Sequence, residues 1–92
     1  MYTETTKIIN KLGIHARPAS DLTLKAKEFN SGITIRNLSN PSAKDINAKL
    51  IMKILAASIS MGSTLEISAD GDDEVQAVKA LVAIIESGFL EE

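Results

Sequence analysis

His15 is the only histidine in a chain of 92 residues. It stands in the stretch "NKLGIHARPAS", residues 10–20, with Gly13 two positions before it and Arg17 two positions after. Imidazole changes charge near neutral pH, and its neutral form is a nucleophile. If His15 is the N-cap of a helix, Ala16, Arg17 and Pro18 form a first turn whose backbone N–H groups lack intrahelical acceptors. Pro18 loses no hydrogen bond there, and its fixed φ suits the position. The open amides of Ala16 and Arg17 at the positive helix end make an anion site. Arg17 adds a guanidinium that can meet phosphate oxygens two at a time. A lone histidine is more often a structural residue, but these neighbours favour phosphoryl transfer through a phosphohistidine. That reaction asks a protein mainly for positioning and charge stabilisation.

The rest of the chain must position that loop, and its composition limits how. Ninety-two residues suffice for one small domain, residues 1–92, with a single modest core. Three aromatic residues among 45% hydrophobic ones make that core aliphatic. A net charge of −2 supplies no basic stripe for nucleic acid. The absence of cysteine removes disulfides and thiolate metal sites, and one histidine leaves no conventional zinc set. No metal or cofactor is expected. The N-terminus has no basic segment leading into an apolar run, and no stretch reaches membrane-spanning length, so a cytoplasmic, monomeric protein without membrane insertion is expected. "DGDDE", residues 70–74, resembles the start of a calcium loop, but Val75 and Leu81 occupy the positions that need glycine and a bidentate glutamate. It reads as a turn and a helix cap. Glu91 and Glu92 read as a solvated end.

Residues 2–9 suit a strand, followed by a loop over Lys11 to Ile14. Ala16, Ala19, Leu22, Ala26 and Phe29 recur at helical steps, predicting a helix that stops between Asn30 and Gly32. "ITIRNL" alternates as a half-buried strand, and "SNPSAK" is a turn-rich connection around Pro41. A possible short strand precedes Asn47, which can cap a short helix with Ala48, Ile51, Met52 and Leu55 as its stripe. "TLEISA" is the clearest strand. Val75, Val78, Leu81, Val82 and Ile85 trace a last helix, ended by Gly88 with Phe89 folding back on it. Strands with one polar face predict an α+β, open-faced two-layer sandwich: an antiparallel sheet covered by helices on one side.

"GIHARPAS" resembles the active-site signature of the HPr family, histidine phosphocarriers of the phosphoenolpyruvate-dependent sugar phosphotransferase system. The resemblance extends through "NAKLIMKILA", "SMGSTLEISADGDDE" and the final helix, which is nearly the whole chain. It implies a four-stranded antiparallel sheet with three helices on one face. It also implies that His15 takes a phosphoryl group on Nδ1 from Enzyme I and passes it to IIA domains of sugar permeases, with Arg17 steadying the phosphate.

Two helices offer a docking surface for such partners. Ser20, Leu24 and Lys27 follow one another on a stripe of the first helix separate from its core stripe, and Leu24 is apolar where solvent is expected. Around the second helix, Leu50, Ile51, Met52, Ile54 and Leu55 are apolar nearly all round. A helix of that kind is usually buried. A small domain with one covered sheet face has little room for all of them, so an exposed patch near His15 is expected. The sequence departs from the family at Leu50, where many members carry a serine that a regulatory kinase phosphorylates in Gram-positive bacteria. Leucine has no hydroxyl, and Ser58 and Ser60 lie too late to replace it. The connection "LSNPSAKDI" is also longer than usual, leaving the register of the strand before Asn47 open. Two other readings stay open: a regulatory carrier of the nitrogen-type phosphotransferase branch, and an HPr-like binding module that has lost the chemistry.

Overall fold

The structure, a computed structural model, describes residues 1–90; the acidic end at Glu91 and Glu92 lies outside them. Strand β1 (Tyr2–Lys7) leads to helix α1 (Ala16–Ala26) and strand β2 (Gly32–Asn37). The two-residue strand β3 (Ile46–Asn47), helix α2 (Ile51–Ala56), strand β4 (Thr64–Asp70) and helix α3 (Glu74–Glu86) follow, with a last short turn at Gly88–Leu90. The sheet has the order β1-β4-β2-β3 and every pairing is antiparallel. Ile33, Ile35, Leu65, Ile67 and Ala69 are buried beneath the helices, while Thr34, Arg36, Thr64 and Glu66 alternate onto the open face. This is the expected open sandwich.

α3 is the main cover, packing on β1, β4 and β2. Its buried stripe is Ala77, Val78, Leu81, Val82 and Ile85. Val75, expected in that stripe, is exposed, because the buried face starts two residues later. Beyond the helix Gly88 has φ +68, in the left-handed region a side chain disfavours. The reversal it permits returns Phe89 to the core, as expected.

Three other boundaries differ from expectation. β1 ends at Lys7, yet the ladder runs one residue further: the Ile8 N–H donates to Ser63 O at 2.9 Å, and Ile9 is left exposed. α1 closes at Ala26, before Phe29. Glu28 and Phe29 N–H bond three residues back, to Lys25 and Ala26, which tightens the chain out of the α-helix. Phe29 still packs against the core from that turn. Asn47 does not cap α2. It belongs to β3, opposite Thr34, and its Oδ1 accepts from Lys49 N–H at 2.9 Å; Leu50 is the N-cap. This turn seats Ala48 in the core ahead of the helix, and Ile54 is the residue α2 itself buries fully.

Asp73 occupies the N-cap position of α3, but its side chain serves another element. Its carboxylate accepts from Asn30 N–H at 2.9 Å, from Ser31 N–H at 3.0 Å and from the Ser31 hydroxyl. It thereby fastens the α1–β2 turn to the start of α3. The Ser31 hydroxyl, followed by these backbone donors, holds the carboxyl below its ordinary range. A carboxyl lowered in the folded state contributes stability above its unfolded pKa and loses it as pH falls through the folded one. The urea midpoint of Asp73→Ala should therefore lie below that of the unaltered chain by a constant margin at neutral pH. Below about pH 4 the margin should shrink, which paired denaturation curves would read.

Candidate functional site

The loop between β1 and α1 is fixed from both ends. Asn10 donates from Nδ2 to Gly13 O at 2.7 Å, and Gly13 N–H returns to Asn10 O at 3.1 Å. Gly13 has φ +65, and a Cβ there would lie 2.5 Å from Ile59 O and 2.8 Å from Ser60 Cα. Only glycine lets the loop come this close to the α2–β4 connection. The contact is sealed by Ile14 N–H donating to Ile59 O at 2.9 Å, with both isoleucines in the core.

His15 follows as the N-cap of α1, in extended conformation (φ −92°, ψ −163°) and half-buried. Its carbonyl accepts from Ala19 N–H at 3.0 Å and starts the helix, while its side chain makes no capping hydrogen bond. Among the described residues nothing accepts from the first-turn amides of Ala16 and Arg17, and both residues are exposed. Pro18 sits third in the helix, buried. Arg17 makes no ion pair among the described residues. No acidic residue lies in this first turn to compete for an anion.

α1 and α2 pack against each other. On α1 Leu24 is 62% exposed, Lys27 is exposed and Ser20 is half-buried. On α2 Met52 is 73% exposed and Leu50 is exposed, while Ile51 and Leu55 are half-buried. The apolar patch expected of α2 is thus present, and Ile54 alone of its residues is fully withdrawn. Leu12 and Met61 were not anticipated. Both are exposed apolar residues flanking the tight approach at Gly13, and a leucine and a methionine standing in polar loops were the available signal. In "DGDDE" two of the four carboxylates are engaged, Asp73 with the α1–β2 turn and Glu74 with Gly71 N–H.

The fold is thus an open antiparallel sandwich whose first helix is capped by a histidine beside an arginine with no ion pair among the described residues. The chain belongs to the HPr family: the model described as the PTS HPr component phosphorylation site matches residues 2–87. The phosphocarrier protein HPr of Haemophilus influenzae is 41% identical, over 92% of this chain and 95% of its own length. The HPr-C-His crystal structure from Thermoanaerobacter tengcongensis matches with a TM-score of 0.89 at 44% identity, covering 100% of this chain and 99% of that one. A crystal structure of an HPr dimer from the same organism matches at a TM-score of 0.74, covering 99% and 100% of the two chains. A multiphosphoryl transfer protein of Haemophilus influenzae is 39% identical over 92% of this chain, a segment that makes up 17% of that protein. The chain is a phosphocarrier of the phosphotransferase system, and its partners are proteins of that system. Among the described residues no helix is long and apolar enough to cross a membrane.

Gly13→Ala forces a methyl group into the Ile59 carbonyl. It should cost about 1–3 kcal/mol of unfolding free energy in urea titrations. The amide signals of Ile14, His15 and Ala16 should shift most in the folded state, since their loop must withdraw.

Proposed function

We propose that His15 accepts a phosphoryl group on Nδ1 from a phosphohistidine of Enzyme I and donates it to a histidine of the IIA domains of sugar permeases, in the cytoplasm and as a monomer. The observation that carries this reading is the N-cap itself. His15 fixes the helix start through its backbone, and its ring leaves the amides of Ala16 and Arg17 open to an anion. In the transfer the donor N–P bond breaks as the Nδ1–P bond forms. The His15 ring gives up its Nε2 proton, and the released donor imidazole gains one.

Arg17 and the two amides hold the phosphoryl oxygens. Ser20, Leu24 and Lys27 on α1, with Leu50, Ile51, Met52 and Leu55 on α2, form the docking face, joined by Leu12 and Met61. A carrier that must leave each partner quickly is served by a small interface of modest affinity. Residues 1–92 act as one domain in this scheme.

Enzyme I, magnesium and phosphoenolpyruvate should load one acid-labile phosphate on the chain, read by intact-mass spectrometry, and none on His15→Ala. Arg17→Ala should slow loading on the order of 10²-fold, the cost of one lost oxyanion donor. Met52→Glu should raise the KM for Enzyme I about tenfold with kcat unchanged, because it touches docking alone. An intact chain that never loads would make the binding-module reading the better one.

A further inference from the structure

A cavity of about 570 Å³ lies on the far side of α2, between that helix and the long connection 38–45 that joins β2 to β3. Its size suits a small metabolite, and the chemistry of its wall is uneven. Asn37, Asn40 and Asn47 all line it, and each has its side-chain carbonyl already committed to a backbone donor two residues on. Asn37 Oδ1 accepts from Ser39 N–H at 2.9 Å, Asn40 Oδ1 from Ser42 N–H at 3.0 Å and Asn47 Oδ1 from Lys49 N–H at 2.9 Å. A backbone N–H can bond only to the oxygen of a carboxamide, so these contacts fix the orientation of all three amides. Three NH2 groups are left over, and none has a partner among the described residues. Asn37 is only 8% exposed, which leaves its amide group on the cavity wall few other contacts.

Two cations share the wall. Lys44 and Lys53 make no ion pair among the described residues. The one carboxylate there, Asp45, is engaged by Arg36 Nε at 3.0 Å. The cavity therefore offers three carboxamide donors and two lysines with no ion pair among the described residues, against a single carboxylate whose Oδ1 is taken by Arg36. A cationic ligand is disfavoured in such a site, whereas an anion rich in acceptor oxygens matches it. Ile46 and Leu50 add an apolar floor.

We infer that this cavity binds a small phosphate ester bearing hydroxyl groups, its phosphate between Lys44 and Lys53 and its remaining oxygens on the Asn37, Asn40 and Asn47 carboxamides. The site is separate from His15 and does not depend on the carrier reaction. Because Leu50 belongs both to the cavity floor and to the exposed face of α2, a bound ester would lie directly behind the docking surface.

The test is an amide-resolved NMR titration of the full chain with ribose 5-phosphate. Ribose, inorganic phosphate and citrate serve as comparators. Saturable shifts of the three asparagine side-chain signals are expected, with none from ribose. The dissociation constant should rise at least tenfold in the Lys44→Ala/Lys53→Ala pair, both exposed and remote from the core. Asn47→Asp keeps the acceptor for Lys49 N–H while replacing the donor by a negative charge, and should also weaken binding at least tenfold. His15→Ala should titrate like the unaltered chain, so this site and the carrier reading stand or fall separately. Absence of saturation up to about 10 mM, where a site would contribute less than about 3 kcal/mol, would overturn the inference. So would shifts that persist in the lysine pair, or inorganic phosphate or citrate binding as tightly as the ester.

Discussion

The structure depends on the approach of the β1–α1 loop to the α2–β4 connection at Gly13. Every feature of the site is set by that contact. The hydrogen bond from Ile14 N–H to Ile59 O anchors the residue before His15, so the histidine enters α1 with its backbone spent on starting the helix. Gly13 is the only residue type that fits the separation. Two buried isoleucines on either side turn the contact into part of the core, where a displaced methylene is felt. A phosphohistidine needs its ring held beside a fixed set of donors, and a helix N-terminus supplies those donors only if the residue ahead of it cannot move.

The remaining fold supports this joint at two levels. Beneath it, α3 presses the helical layer onto β1, β4 and β2, and Asp73 clasps the far end of α1 through Asn30 and Ser31. Beside it, α2 is short and buries only Ile54 completely, so it can present Leu50 and Met52 outward. The same economy makes α2 a poor core helix and leaves its apolar residues in solvent. Its other side, facing connection 38–45, is walled by asparagines and lysines.

Much of this was legible in the sequence. The alternation of "TLEISA" and the stripe Val78, Leu81, Val82 and Ile85 announced β4 and α3, because burial on one face imposes its period on the residues. The placement of His15 as the N-cap of α1 was legible too, since a helix start needs only local sequence. Misreadings arose where a distant partner overrode a local signal. Asn47 has the chemistry of an N-cap, yet β2 draws it into β3 and the helix begins later. Phe29 continues the helical spacing of α1, yet Asp73, forty-four residues downstream of it, fixes the next turn and the chain leaves the helix first. The surface roles of Leu12 and Met61, and the common orientation of three asparagine amides, depend on how loops fold against one another, which no local pattern encodes.

If the first turn of α1 is the phosphate cradle, loading His15 must register in its amides. This is tested most directly by recording the amide and imidazole nitrogen spectra of the chain before and after phosphorylation by Enzyme I. A phosphorus-bound Nδ1 on His15 is expected, with downfield shifts of the Ala16 and Arg17 amide protons, as they take up phosphoryl oxygens, larger than any elsewhere. A phosphorylated His15 with those two amides unmoved would contradict it, because the anion would then be held by something other than the helix that the whole fold is arranged to aim.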